Sequence, residues 1–276
     1  EPYRRQRQMC IRDRPMGEVN YAPLIDDMVW SYSRIKAFED CPYRWYLKYI
    51  KKFHGKDMFF SSYGTFMHKL IELYHKGEKT PRQLVDMYLQ DFKTEVVGRA
   101  PNRKVFSSYF TGGLQYLKTL QPFPYDVVGV EKKVDFVVNG IPFVGYIDFL
   151  GRKDDDLYVV DNKSRILKPR SSRAKPTKAD EELDAYLRQL YIYSAAVEEE
   201  YGKTPKSLCF NCFRDKLFII EPFKEQAYAE SKEWLAKSIG KIREESDFKP
   251  SVEFFKCTHL CEMQDMCEYY ELMRKR

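Results

Sequence analysis

The chain has 276 residues, of which 43% are hydrophobic and 32% charged, and its formal net charge is +6. This length can bury a full core as one large domain or two small ones, and no apolar run approaches the roughly 18 residues of a membrane span. The composition therefore excludes a membrane-spanning, fibrous or wholly disordered protein and predicts a soluble, folded chain with no membrane partner.

The first fifteen residues differ in composition from the remainder. EPYRRQRQMCIRDRP contains five Arg against one Glu and one Asp, which accounts for half of the net charge. We interpret 1–15 as a non-native or disordered tail ahead of Met16, with a genuine basic arm as the alternative. No signal-peptide pattern is present, so we expect a cytoplasmic, reducing location, where the seven cysteines are free or metal-bound rather than disulfide-paired.

Residues 16–125 predict an N-terminal helical region. SYSRIKAFEDCPYRWYLKYIKK (31–52) is interrupted at Cys41-Pro42 and predicts two short helices with a break, because the residue before proline disfavours helix. SSYGTFMHKLIELYHKG predicts a third helix that ends at Gly77, and a fourth helix begins at Thr80 with a capping-box pattern. A fifth helix is predicted over 102–120.

From residue 126 the periodicity becomes that of strands. DVVGVEKKVDFVV, IPFVGYIDFL and DLYVVDNK are separated by turn sequences and predict an antiparallel meander. A long helix in ADEELDAYLRQLYIYSAAVEEEYG follows, then strands in SLCFNCF and KLFIIEPF, then a helix over 223–246. This order predicts a mixed α/β (α+β) fold with a central mixed sheet flanked by helices.

Two carboxylates interrupt the apolar strands of the second hairpin. The midpoint between Asp148 and Asp161 falls in the predicted turn, so a symmetric hairpin places them opposite each other, with Cβ atoms about 5 Å apart. Like charges this close destabilise a sheet unless a cation lies between them, which favours a hard divalent metal. Lys163 lies on the same face as Asp161, two residues along the strand. The alternative is that both acids are solvated at strand ends.

This arrangement resembles the PD-(D/E)xK nuclease superfamily, with Ile147 in place of the Pro and Asp161-Asn162-Lys163 as the acid-x-Lys element. The blocks SYSRIKAFEDCPYRWYLKYI, YGTFMHKLIE, GYIDFL, VVDNKS and QLYIY occur in the order of its RecB-like exonuclease branch, which includes AddB-like and CRISPR-associated adaptation nucleases. The resemblance implies a restriction-endonuclease-like core and a metal-dependent DNA exonuclease acting on single strands or duplex ends, in recombination, repair or CRISPR adaptation.

The resemblance also implies roles for individual residues. His68 and the carboxylates of Asp148 and Asp161 are the implied ligands of Mg²⁺ or Mn²⁺, with the Asn162 carbonyl as a further oxygen. Lys163 is implied to orient the attacking water or to offset charge on the phosphate. For His68, an ion pair with Glu72 on the same helix face is the alternative.

The resemblance also concerns three further residues. Relatives often carry an acid at the position of Glu131, which makes it a candidate ligand, although a solvated strand residue is equally consistent with its neighbours. Gln189 and Tyr193 match the Gln-Leu-x-x-x-Tyr block, which relatives place near the scissile strand; Tyr193 is also consistent with a core residue.

The segment KSRILKPRSSRAKPTK (163–178) holds seven basic residues and no acid. It leaves the predicted active strand directly, and such a segment can neutralise backbone phosphates without reading sequence. The candidate DNA-binding residues are Arg165, Lys168, Arg170, Arg173 and Lys175. A solvated loop is the alternative.

Cysteines near both ends suggest a second metal centre. Spacing alone leaves an iron–sulfur cluster and zinc open, with His259 as an alternative zinc ligand. One N-terminal cysteine and a C-terminal trio is the pattern of the iron–sulfur members of the same branch, which implies a 4Fe-4S cluster. Its ligands would be Cys41, Cys257, Cys261 and Cys267. The C-x-x-C of Cys209 and Cys212 is interpreted as core, because the two side chains point to opposite faces of a strand.

These interpretations divide the chain into the 1–15 tail, a helical region (16–125), a nuclease core (126–222) and a C-terminal helix with a cysteine tail (223–276) that packs on the helical region. No GxxxxGK[ST] loop is present, so any helicase, recombination or CRISPR partner is a separate protein. The rival functions are a non-catalytic DNA-binding or assembly module and a zinc-stapled structural protein. The oligomeric state is not predicted.

Overall fold

The structure is a computed structural model and describes residues 20–274. The predicted 1–15 tail lies outside the described residues. Helices α1 (Ala22–Asp26), α2 (Tyr32–Asp40) and α3 (Pro42–Trp45) come first, and α3 continues as a π-helical turn, Tyr46–Ile50, that was not predicted. The predicted break lies at Cys41, whose extended backbone ends α2 and caps α3.

The next three helices begin and end close to their predicted bounds. They are α4 (Phe59–His75), α5 (Pro81–Glu95) and α6 (Arg103–Lys118). Gly77, just after α4, has a φ of +72°, a conformation that glycine adopts without strain. Thr80 and Gln83 form the predicted capping box of α5. The apolar faces of these helices pack mainly on one another and form a core of their own beside the sheet.

A five-stranded mixed sheet occupies the centre of the fold, which confirms the predicted fold class. Strands β1 (Asp126–Val138), β2 (Ile141–Lys153) and β3 (Asp156–Asn162) form the predicted antiparallel meander. Helix α7 (Lys178–Tyr201) returns the chain to β4 (Ser207–Cys212), which pairs parallel to β3. Strand β5 (Leu217–Pro222) pairs antiparallel to β4.

The two faces of the sheet have different covers. Helix α7, helix α8 (Glu225–Glu244) and the α1–α3 segment share one large apolar core with the first face. On the opposite face, Phe149, Val160 and Cys209 form a smaller cluster against the segment that precedes β1. Cys209 and Cys212 are fully buried among apolar residues, as predicted.

The C-terminal segment packs against the region around α3. It contains α9 (Phe254–His259), a short 3₁₀ turn (Gln264–Met266) and α10 (Glu268–Arg274). Glu262 pairs with Arg44 at 2.7 Å and with Lys48 at 2.9 Å, and the Tyr43 hydroxyl donates to Glu268 at 3.2 Å. These contacts join the C-terminal segment to the region around α3, and the domain boundaries at 125/126 and 222/223 stay predictions.

Candidate active site

The strand register brings the two predicted carboxylates together. The last ladder pair between β2 and β3 is Phe149 with Val160, and one step further in the same register Asp148 faces Asp161. The two-residue turn at the other end of this hairpin has Asp154 at a φ of +54°, which gives the predicted symmetry. Asp148 is 9% exposed and Asp161 5% exposed, so both acids are buried rather than solvated.

His68 reaches this carboxylate pair from α4. Its Nε2 lies 2.9 Å from the Asn162 carbonyl oxygen. A carbonyl only accepts, so Nε2 carries the proton of this hydrogen bond and Nδ1 faces the acids. Nδ1 lies 3.4 Å from Asp148 Oδ2 and 3.5 Å from Glu131 Oε1. The alternative pairing with Glu72 is wrong, because Glu72 pairs with Lys76 instead.

Glu131 is placed in the site by an irregularity of β1. Its neighbours Val130 and Lys132 pair with Phe149 and Ile147, so Glu131 lies opposite Asp148. Its φ of +46° is unusual for a non-glycine residue and marks a local distortion of the strand. The side chain thereby meets His68, whereas the alternative interpretation placed it in solvent.

In the described part of the chain, one group of three or more side chains is able to ligate a single ion. It consists of His68, Glu131 and Asp148, and its ligand atoms all lie within 4.8 Å of one another. Imidazole nitrogen and carboxylate oxygens suit a divalent metal such as Mn²⁺. Asp161 lies outside this group, and its buried Oδ2 has the Lys163 ammonium 2.7 Å away as its cationic partner.

Lys163 and the predicted residues of α7 complete the site. Lys163 Nζ lies 2.7 Å from Asp161 Oδ2 and 3.3 Å from Gln189 Oε1. Gln189 Nε2 in turn donates to the Tyr193 hydroxyl at 3.4 Å. The structure therefore brings Lys163, Gln189 and Tyr193 into one connected row beside Asp161. Tyr193 is buried, which agrees with its interpretation as a core residue, and its place near the scissile strand stays a prediction.

The electrostatics of the site favour a bound cation. Burial and the charge of Asp161 raise the pKa of Asp148 to about 7. Burial alone would lower the pKa of His68, but a hydrogen bond to Glu131 and the charge of Asp148 outweigh it and raise that pKa to about 9. The pKa of Lys163 is raised in the same way, since Asp161 outweighs the effect of burial. The protonated side chains of His68 and Lys163 therefore balance part of the negative charge of the nearby carboxylates.

Two residues close to the site were missed by sequence reasoning. Gly145 lies against Tyr193, and a Cβ at Gly145 would sit 2.6 Å from Cε1 of that ring. Asn211 Nδ2 donates to Asn162 Oδ1 at 2.8 Å. The available signals were a glycine within a strand and a polar residue within an apolar strand.

His75, which also lies on α4, is turned away from the acids. Its ring stacks on Phe123 with 4.4 Å between centroids and also contacts Phe149. Burial lowers the pKa of His75 to about 4, so it is neutral. His75 is a packing residue and not part of the site.

The basic segment is irregular, as expected, but its cations have different surroundings. Arg165 pairs with Glu182 at 2.5 Å and lies over the Tyr186 ring. Arg170 is held between Asp184 at 2.6 Å and Glu221 at 2.7 Å. Lys168, Arg173 and Lys175 are exposed. Arg165 and Arg170 therefore already form ion pairs with carboxylates of the same chain.

The four cysteines line a single cavity of about 460 Å³ between the C-terminal segment, α2–α3 and α7. The Cys41 Sγ accepts hydrogen bonds from the backbone of Ser251 at 3.4 Å and Arg44 at 3.5 Å. Within residues 20–274, no three of these thiols lie within 4.8 Å of one another. The cavity brings Cys41 to Cys257, Cys261 and Cys267 without the close spacing that one ion requires.

Among residues 20–274, every helix is too short or too polar to cross a bilayer.

The chain matches the family model of the PD-(D/E)XK nuclease superfamily over residues 29–268. A crystal structure described as "Putative exonuclease" from Eubacterium rectale superposes with a TM-score of 0.51, at 11% identity, over 94% of this chain and 93% of that chain. This similarity shows a shared fold. A second structure, described as "Crystal structure of SSO0001", has a TM-score of 0.31, at 16% identity, over 73% of this chain and 85% of that chain. No curated protein sequence matches the chain.

Proposed function

The chain belongs to the PD-(D/E)XK nuclease superfamily, and from that premise we propose that it is a DNA exonuclease that depends on Mg²⁺ or Mn²⁺. One observation carries the proposal: His68, Glu131 and Asp148 converge on one point beside the Asp161–Lys163 ion pair. The substrate is DNA, as the family implies, and the proposed targets are single strands or duplex ends.

The proposed metal ligands are His68 Nδ1 and the carboxylates of Glu131 and Asp148, with Asp161 as the fourth. The Asn162 carbonyl, expected as a ligand, accepts from His68 Nε2. That hydrogen bond aims Nδ1 at the acids, so the carbonyl orients a ligand in addition to offering its second lone pair. A divalent ion held here supplies Lewis-acid polarisation of the phosphodiester and lowers the pKa of bound water.

Lys163 is the proposed catalytic cation. Its raised pKa keeps it protonated at neutral pH, so it acts by donating rather than by abstracting a proton. From its position beside Asp161, the ammonium of Lys163 orients the attacking water and offsets charge on the phosphate. Gln189 accepts from Lys163 and donates to Tyr193, which fixes the ammonium in place.

The proposed path of the DNA follows the basic segment from Lys163. Lys168, Arg173 and Lys175 are exposed and suited to backbone phosphates. Arg165 and Arg170 contribute after release from their carboxylate partners, which makes their contribution smaller. Contacts of this kind position a strand without reading its sequence.

The proposed role of Cys41, Cys257, Cys261 and Cys267 is to hold a 4Fe-4S cluster that joins the two ends of the chain. The four cysteines line one cavity of about 460 Å³, and cysteine thiolates are the usual ligands of such a cluster. Zinc bound by the same thiols is the alternative. The backbone N–H groups at Cys41 suit a cluster thiolate.

The proposed biological setting is that of the RecB-like branch, AddB-like or CRISPR-associated, in which the nuclease works with a separate helicase, recombination or adaptation protein. The order of the five sequence blocks supports this branch. The proposed units are a helical region (16–125), a nuclease core (126–222) and a cysteine-bearing C-terminal region (223–276).

A digestion series tests the proposal. End-labelled single- and double-stranded DNA is incubated with the full chain in Mg²⁺, Mn²⁺ or EDTA. We expect cleavage that needs the metal and is lost in Asp161→Ala and Lys163→Ala. Asp155→Ala, an exposed carboxylate on the turn of the same hairpin, serves as the matched control and stays active. Metal-independent cleavage, or full activity in both site variants, contradicts the mechanism. DNA binding without cleavage favours the non-catalytic alternative.

A further inference from the structure

Asn162 contacts three parts of the candidate active site at once. Its backbone N–H donates to Asp148 Oδ2 at 2.7 Å, and its carbonyl accepts from His68 Nε2 at 2.9 Å. Its side-chain Oδ1 accepts from Asn211 Nδ2 at 2.8 Å. Two of the three converging metal-ligand side chains are thus oriented by one residue of the chain.

The backbone of Asn162 is available for these contacts because the sheet opens beside it. Lys163 N–H donates to the Asn211 carbonyl on β4 at 2.9 Å. Successive residues of a strand direct their backbone groups to opposite edges, so the N–H and C=O of Asn162 point toward β2. There the ladder between β2 and β3 has ended, since its last pair is Phe149 with Val160. The side chains of Asp148 and His68 therefore take the place of a neighbouring strand as hydrogen-bond partners of the Asn162 backbone.

The side chain of Asn211 holds the side chain of Asn162 on the sheet face opposite that of Asp161 and Lys163. The two residues are direct neighbours in the parallel register of β3 and β4, and each is 4% exposed. The amide of Asn211 uses both hydrogens, one on Asn162 and one on the Tyr116 hydroxyl at 2.7 Å. A buried amide that loses a partner costs free energy, so the three side chains stabilise one arrangement.

We propose that Asn211 is a positioning residue of the active site. By fixing the Asn162 side chain it fixes the Asn162 peptide, and this peptide in turn sets the directions of Asp148 and His68. Asn211 touches neither substrate nor metal and acts through Asn162 alone. The inference deepens the proposed function and rests on it, since the affected quantity is the affinity of the site for its metal.

A double-mutant cycle read by metal binding tests this role. The dissociation constant for Mn²⁺ is measured by calorimetric titration of the purified full chain and its variants, together with the DNA-cleavage rate. Asn211→Ala and Asn162→Ala are each expected to weaken Mn²⁺ binding by about 10–100-fold. The double variant is expected to be no weaker than the worse single variant, since both changes break the same contact.

Two further variants keep the test decisive. Ser231→Ala removes a buried hydroxyl that donates to a helix carbonyl at 2.7 Å on α8, and as matched control it leaves Mn²⁺ affinity unchanged. Should Asn211→Ala fail to fold, Asn211→Ser replaces it, because serine is polar and smaller but one bond too short to reach Asn162.

The outcomes separate this inference from the proposed function. A wild-type chain that neither binds Mn²⁺ nor cleaves DNA overturns both. A wild-type chain that binds and cleaves, with an unchanged Mn²⁺ dissociation constant in the Asn211 variants, overturns only the role of Asn211. A lowered melting temperature with unchanged affinity shows a purely structural residue, and multiplicative effects in the cycle show that Asn211 does not act through Asn162.

Discussion

Replacing Asp148 by Asn is expected to stabilise the metal-free protein while it removes activity. The carboxylate is buried, and its pKa rises from 3.8 to about 7. A rise of that size corresponds to about 4 kcal/mol for holding the charged form in the folded state. Asparagine has nearly the same shape and still offers an oxygen to the Asn162 N–H, so it avoids the cost of the charge.

The expected gain in stability depends on pH, and its sign follows from the direction in which the pKa of Asp148 is shifted. Because the folded pKa lies above the unfolded one, the contribution of Asp148 to stability falls as pH rises from about 4 to about 7 and then levels off. The pKa of about 7 already includes the attraction to His68. We expect Asp148→Asn to be more stable by roughly 2–4 kcal/mol near pH 8, with little difference near pH 4.

Thermal unfolding in EDTA measures this gain. At a few degrees per kcal/mol, the variant should melt roughly 5–10 °C above the wild type near pH 8. Added Mn²⁺ at about a thousand times its dissociation constant should reverse the order, since it stabilises the wild type by about 4.1 kcal/mol. Asp155→Asn, on the exposed turn, is the control without effect. A variant that melts below the wild type near pH 8, or an equal gap at both pH values, refutes the reasoning.

Other variants test the remaining parts of the site. Lys163→Ala should lower kcat by about 10²–10⁴-fold and also lower the melting temperature, because Asp161 stays buried without its ion-pair partner; a fall in DNA affinity alone would contradict the catalytic role of Lys163. Gly145→Ala should displace the Tyr193 ring and destabilise the chain by about 1–3 kcal/mol in denaturant titrations. Gly240→Ala, in open helical surroundings, should stabilise it by about 0.5–1 kcal/mol. Cys41→Ser should abolish the visible absorption and iron content of anaerobically purified protein, whereas a colourless, zinc-loaded wild type contradicts the cluster.

The secondary structure was largely predictable because its signals are local. The capping box at Thr80 and the left-handed Gly77 depend only on neighbouring residues, as does the period-two pattern of β1–β3. The hairpin register was predictable for the same reason, since a two-residue turn fixes which residues face each other. The π-helical turn after α3 and the short C-terminal helices were missed because packing on other elements stabilises them.

The candidate site was predictable in part. Asp148, Asp161 and Lys163 lie on one hairpin, so their relation follows from sequence spacing. His68 became a candidate through a family resemblance, because its place beside Asp148 depends on how α4 packs against the sheet. Helix spacing alone was equally consistent with an ion pair between His68 and Glu72. In the structure, Glu72 pairs with Lys76 instead.

The sequence by itself determined the order of the elements, the facing pair of acids and the lysine beside them, because strand periodicity and turn symmetry act over a few residues. Only the tertiary structure decided that Glu131 turns toward His68, that Asn211 supports Asn162, and that Cys41 shares a cavity with the C-terminal cysteines. These contacts join residues from 49 to more than 200 positions apart. Which distant side chains meet depends on the packing of whole helices and strands, and no local pattern records it.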